Sequence, residues 1–175
     1  ITLKYCQYLK QKYKKDFISI QPANLYGLGD NFDLKSSHVL PALVKKFVLA
    51  KSKNKKTVEV WGSGKVRREF LNVEDLADAI VFLIKKKITQ DFINVGGGED
   101  ISIQQLAYMI KELVNYKGII KFNKKYPDGV KVRKINSSII KKLGWSPKIG
   151  LKEGLIKYCE YYSKIIMPNE NFINF

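Results

Sequence analysis

The chain has 175 residues, 45% of them apolar, and a formal charge of +16. That length and apolar fraction suffice for a packed core, and they exclude a disordered or low-complexity chain. The charge favours anionic partners, but the lysines are spread over every segment instead of lining one element, so a small anion is expected and nucleic acid is not. No apolar run approaches the roughly 18 residues of a membrane span, and no secretory signal opens the chain. Membrane contact is therefore not expected. Cys6 and Cys159 lie far apart in no metal-ligand spacing, each inside a predicted helix. Free buried thiols, no metal site and a reducing, cytoplasmic compartment follow. The first residue is Ile, within a predicted helix, which suggests a piece of a longer polypeptide.

Residues 1–15 place Ile1, Leu3, Cys6, Leu9 and Tyr13 near one helical stripe. Residues 16–21 read as a short buried strand stopped by Pro22. The following loop, 22–31, is rich in turn formers and sits at the carboxyl end of that strand, where open α/β sheets bind ligands. Ser36 or Ser37 is expected to cap a helix over 38–50 with Val39, Leu40, Leu43, Val44, Phe47 and Val48 inward, Pro41 being tolerated in its first turn. Two strands around Trp61 and Arg68, joined by Gly62-Ser63-Gly64, read as a hairpin. A helix over 74–86 starts with Glu74 and Asp75 and ends with lysines, as the helix dipole prefers.

Residues 92–95 form a strand broken by Gly96-Gly97-Gly98. Ser102 caps a helix to about residue 115, and 119–122 is an edge strand. A polar, basic loop over 123–134 leads to a short helix at 137–143, ended by Gly144 before Trp145. A last helix spans 151–164, and 165–175 reads as a loosely held tail. Strands alternating with helices indicate α/β architecture.

Arginine is rationed. The chain has three arginines against 29 lysines, and two of the three, Arg67 and Arg68, are adjacent. Arginine's planar fork grips phosphate or carboxylate through two parallel hydrogen bonds, where lysine offers a point charge. An anion-binding role is one reading; incidental arginines on a surface hairpin are the other.

Several stretches resemble extended short-chain dehydrogenase/reductases that act on nucleotide sugars. They are Gln21-Pro22-Ala23-Asn24-Leu25-Tyr26-Gly27, Ser37-His38-Val39-Leu40-Pro41-Ala42-Leu43, Trp61-Gly62-Ser63-Gly64 with Arg68-Glu69-Phe70-Leu71 and Glu74-Asp75, and Asn94-Val95-Gly96 with Ser102-Ile103 and Leu106-Ala107. The Ser37–Leu43 run, with Asp128-Gly129, Arg133-Lys134 and Leu143-Gly144-Trp145, is most similar to the GDP-L-fucose synthase group. The resemblance implies the C-terminal portion of a Rossmann-type extended enzyme with its substrate-binding lobe. Residues 1–35 would end the Rossmann-type domain and 36–165 would form mainly the nucleotide-sugar lobe. A helix over 74–87 would return to the Rossmann part, and 166–175 would be a tail. The family's Gly-rich dinucleotide turn and Tyr-x-x-x-Lys pair are absent from these 175 residues. The main NADP site is therefore expected in preceding polypeptide, and no reductase activity is expected from this chain alone.

The complete enzyme would epimerise a GDP-4-keto-6-deoxy-mannose beside its ketone and reduce it with NADPH, as a homodimer. A UDP- or dTDP-sugar enzyme, or a non-catalytic nucleotide-sugar-binding remnant, stays open. The resemblance makes His38, the only histidine, the acid/base for epimerisation, a task suited to imidazole; the alternative is a histidine at a helix start. Pro22, Ala23 and His38 would border the cofactor. Asn24 would bind substrate or stabilise its turn. Val39 and Leu43 would wall the nucleotide pocket or serve the core, and Val60 and Trp61 would flank the base or ribose or pack the hairpin. Arg68 would grip the diphosphate, leaving Arg67 to solvent, because adjacent strand residues face opposite sides. Arg133 or Lys134 would supply a second diphosphate contact. Asp75 has no implied role beyond the helix start.

Overall fold

The computed structural model describes residues 1–170. In chain order these form α1 (Thr2–Tyr13), β1 (Ser19–Pro22), β2 (Asn24–Tyr26), α2 (Val39–Ser52), β3 (Thr57–Trp61), β4 (Arg67–Asn72), α3 (Val73–Ile84), β5 (Phe92–Val95), β6 (Asp100–Ser102), α4 (Ile103–Leu113), β7 (Ile119–Asn123), β8 (Val132–Arg133), α5 (Ser138–Lys142) and α6 (Leu151–Tyr161). Helix α6 runs on through a π-helical stretch, Tyr162–Ile166, into α7, Met167–Glu170. The tail expected over 165–175 is thus helical at its start, and residues 171–175 lie outside the described residues.

Three small sheets organise the described residues. Strands β1 and β5 pair in parallel. Strand β4 is the centre of the second sheet: β2 and β8 lie parallel to it and β6 antiparallel. Strands β3 and β7 form the third, also parallel. The segment around Trp61 and Arg68 is therefore not a hairpin. Gly62 and Gly64, both at φ near +80°, turn the chain out of the β3–β7 sheet, a conformation glycine adopts without a steric penalty. Gln104 N–H donates to Gly64 O and Ile103 N–H to Val66 O, which fastens that turn to the start of α4.

Helix α2 buries Leu40, Leu43, Val44, Phe47 and Val48, the stripe expected of an amphipathic helix. Its N-cap is His38, not Ser36 or Ser37, and no side chain caps it. Ser36 is instead drawn back to Asp33, whose carboxylate accepts from its Oγ and N–H. Helix α4 has a full capping box between Ser102 and Gln105. Strand β8 was not foreseen within the basic loop.

Two cores result. Phe47, Leu106, Ile110, Leu155, Tyr158 and Tyr162 centre one, among α2, α4 and α6. Leu71, Ala79, Leu83, Ile93, Ile140 and Trp145 centre the other, where α3 and α5 cover β1 and β5. Asp75, buried at the start of α3, accepts from the Lys148 and Ile149 N–H groups and so anchors the approach to α6. Helix α1 buries no residue, leaving Tyr5, Tyr8 and Tyr13 exposed, as are Ile80, Val81 and Ile84 on α3. Among the described residues no helix is long and apolar enough to cross a membrane, and no cluster of His, Cys, Asp and Glu has the arrangement to hold a metal.

Candidate functional site

The two cores meet where the chain leaves β1 and enters β2. Ala23 N–H still donates to Val95 O, continuing the first sheet. The next residue, Asn24, already pairs with Phe70 of β4. Asn24 Nδ2 donates to Glu69 O at 2.7 Å, and no side-chain or backbone donor among the described residues reaches its Oδ1. One arm of the amide is anchored and the other is an open acceptor, so the turn-stabilising and substrate-facing readings are geometrically compatible.

Beside Asn24 opens a cavity of about 430 Å³, lined by Pro22, Ala23, Asn24, Tyr26, Asp30 and His38 among others. His38 is exposed, with an extended backbone at the N-terminus of α2. The loop that carries it is held from below. Tyr158 of α6 donates its hydroxyl to Asp30 at 2.8 Å, and Phe32 stacks on the Tyr158 ring with centroids 5.2 Å apart. Burial first, then the bond to Asp30, pushes the Tyr158 phenol far above its ordinary range. The hydroxyl stays protonated and keeps donating.

On the other side of Asn24 a smaller cavity of about 290 Å³ is lined by Pro22, Ala23, Asn24, Glu69, Arg133 and Ile135. Here the sheet register sorts the basic residues. Arg68 of β4 pairs with Arg133 of β8, and paired residues on neighbouring strands share a face. Neither has a carboxylate within ion-pair distance among the described residues. Arg68 Nη1 donates to two backbone carbonyls, Arg67 O and Val130 O, both at 2.7 Å, which fixes the fork without neutralising it.

On the other face, Arg67 is not left to solvent. Its Nε and Nη2 bind the carboxylate and backbone carbonyl of Asp100, and Lys134 Nζ lies 3.5 Å from the same carboxylate. The Arg67 guanidinium first, with Lys134 behind it, holds the Asp100 carboxyl below its usual range.

Trp61 is 51% exposed and stacks on Tyr126, ring centroids 4.4 Å apart and planes 15° apart, with Lys46 Nζ 4.6 Å over its ring. Val39 is 37% exposed at the first turn of α2, whereas Leu43 and Val60 are 3% and 2% exposed within the first core. The 123–130 loop reaches back over the β3–β4 turn, where the Asp128 carboxylate accepts from Ser63 N–H and Oγ. Sequence reasoning missed Tyr126, Glu69 and the Asp30–Tyr158 contact. Only Glu69 had a local signal, its place between the arginines and Phe70.

Residues 2–96 match the model of the NAD dependent epimerase/dehydratase family, more than half of the chain. The chain belongs to that family. As a family member it is 42% identical over 167 residues to a GDP-L-fucose synthase of Sinorhizobium fredii, covering 95% of this chain and 53% of the relative. To GDP-L-fucose synthase 1 of Arabidopsis thaliana it is 41% identical over 162 residues, covering 93% and 50% respectively. Among solved structures, a GDP-mannoheptose C4 reductase from Campylobacter jejuni with NADP bound superposes with a TM-score of 0.79 at 34% identity, over 93% of this chain and 57% of that one. The chain thus spans about half the length of the relatives it matches.

Proposed function

We propose that the chain forms the nucleotide-sugar-binding part of a GDP-sugar epimerase/reductase acting on a GDP-4-keto-6-deoxy-hexose. The observation that carries this reading is the sorting of basic residues: Arg67 and Lys134 share Asp100, while Arg68 and Arg133 are register partners with no carboxylate of the described residues within ion-pair distance. Two unneutralised arginine forks on one face match a diphosphate, which accepts several charge-assisted hydrogen bonds at once. Of the two candidates for the second contact, Arg133 is the one in register with Arg68. The base lies towards Trp61, with Val39 in the first turn of α2 as the apolar contact, and the sugar crosses Asn24 towards His38. Leu43 and Val60 support that wall from within the core.

His38 then acts as the acid/base. Its exposed imidazole exchanges a proton with a carbon beside the ketone on one face, and a second acid/base group outside these 175 residues exchanges the proton on the opposite face of the enolate. Asn24 Oδ1 accepts from a sugar hydroxyl and fixes the ring between the two steps. The strand end at Pro22 and Ala23 fits a nicotinamide ring better than a phosphate, because Pro22 has no N–H and that of Ala23 is taken by Val95 O. When bound, NADPH supplies the hydride that reduces the ketone, and its phosphates belong to a Gly-rich turn that these 175 residues do not contain.

Calorimetric titration with GDP and UDP tests the assignment. GDP is expected to bind more tightly than UDP, and Arg68→Ala to weaken GDP about 10- to 100-fold, the range for losing hydrogen bonds to a charged group of about 1.5–3 kcal/mol. Tighter binding of UDP contradicts the guanine assignment. An unchanged GDP affinity in Arg68→Ala contradicts the diphosphate site.

A further inference from the structure

Glu69 is the most deeply buried acid of the described chain, 1% exposed, and it lies next to Arg68 on the strand that centres the site. A buried carboxylate is costly unless its oxygens are satisfied. Both are satisfied, by backbone from two distant segments. Oε1 accepts from Gly98 N–H and Oε2 from Ile135 N–H, each at 2.9 Å. Ile135 is two residues past Arg133, and the Glu69 backbone carbonyl is the anchor for Asn24 Nδ2.

The glycine run after β5 is shaped to this carboxylate. A Cβ on Gly96 would lie 2.3 Å from Glu69 Oε1, and one on Gly97 would lie 1.9 Å from Phe70 O. Only glycine lets the loop close on Glu69 from that side. Strand β8 is two residues long and both are exposed, so its own pairing is a weak hold on Arg133. Contacts on either side of it add to that hold: Arg67 N–H donates to Lys131 O, Lys134 Nζ lies 3.5 Å from the Asp100 carboxylate, and Ile135 N–H donates to the buried Glu69 carboxyl.

We propose that Glu69 is a positioning residue for the diphosphate site: its carboxylate, clamped by the Gly96–Gly98 loop, holds β8 in the register that sets Arg133 beside Arg68. This rests on the diphosphate reading above. It assigns no chemistry to Glu69, whose two oxygens are taken by the Gly98 and Ile135 N–H groups. The substitution of choice is Glu69→Gln, which keeps the volume and replaces one acceptor by a donor facing an N–H. The companion is Ile135→Pro, which removes the donor and leaves Glu69 in place.

Two readouts in the full chain decide it. The first is amide exchange at residues 130–135, which Glu69→Gln is expected to accelerate at least tenfold while α4 and α6 stay protected. The second is GDP affinity: Glu69→Gln, Ile135→Pro and Arg133→Ala are each expected to lose about tenfold, and Glu69→Gln combined with Arg133→Ala no more than twofold beyond Arg133→Ala alone. A merely structural role would instead give losses that multiply, or exchange raised evenly over all helices. Unchanged exchange at 130–135, or a GDP affinity in both Glu69→Gln and Ile135→Pro within twofold of the original while Arg133→Ala loses tenfold, overturns the proposal. A starting chain that takes up no GDP overturns the diphosphate reading itself, and the exchange arm then shows separately whether Glu69 holds β8.

Discussion

Arg67 and Arg68 are neighbours in sequence with opposite electrostatic fates. Strand alternation was enough to place them on opposite faces. It was not enough to show that Asp100, 33 residues on, would meet Arg67, because that partner arrives through the β4–β6 pairing. The same non-local logic separates Arg133 from Lys134, which sequence spacing left undivided. The two faces give a specific expectation. Arg67→Ala should leave GDP affinity within about twofold, whereas Arg68→Lys, which keeps the charge and loses the fork, should still weaken it several-fold. Parallel titrations of the two variants check this, and equal losses would contradict the sorting. His38 was visible as a lone histidine at a helix start. That it would itself be the N-cap was not visible, because two serines before it are better capping residues by propensity, and Asp33 diverts Ser36.

At the scale of elements, the helices were the most legible parts. Periodic apolar residues marked α2, and Ser102 with Gln105 announced α4 through a capping box. Ser102→Ala should cost about 1 kcal/mol, measured as a shift of the urea midpoint without a change of slope. Strands were less legible. The β3–β4 segment looks like a hairpin locally, but its turn glycines carry the chain between sheets, and the true partners of β3 and β4 lie elsewhere in sequence. Strand β8 has only two residues and no local pattern; it pairs with β4, and Ile135 just beyond it donates to Glu69.

The junction of α3 and α5 makes an acid-side prediction. Trp145 Nε1–H first, then Lys148, holds the Asp78 carboxyl below its ordinary value. A carboxyl depressed in the folded state contributes stability above about pH 4, where both states are ionised, and loses it as pH falls through the folded value. Asp78→Asn should therefore lower the thermal midpoint near pH 7 and flatten its fall below pH 4. A parallel fall in both proteins would contradict this.

The whole molecule is two cores with a cleft between them, and the candidate site occupies the seam. The first core should dominate stability. Phe47 is fully buried there, so Phe47→Ala should cost about 3–5 kcal/mol by chemical denaturation. Burial also sorts the thiols. That of Cys159 is pushed up to about 12, while Cys6 on α1 is only partly covered. One thiol per folded chain should react quickly with a disulfide reagent near pH 8, and two after denaturation. The apolar side chains left open on α1 and α3 accompany the two-stranded β1–β5 sheet, in a chain half the length of its relatives. Parallel sheets are usually covered on both faces.

On the proposed function, a nucleoside diphosphate binds between Arg68 and Arg133. With only three arginines, the chain offers three Nε–H resonances in a ¹⁵N spectrum, each assignable by single substitution. On titration with GDP, the Arg68 and Arg133 signals should shift saturably with one shared dissociation constant, and the Arg67 signal should stay at its Asp100-bound position. Movement of Arg67 with a static Arg68, or no shift in any of the three at saturating GDP, would contradict it.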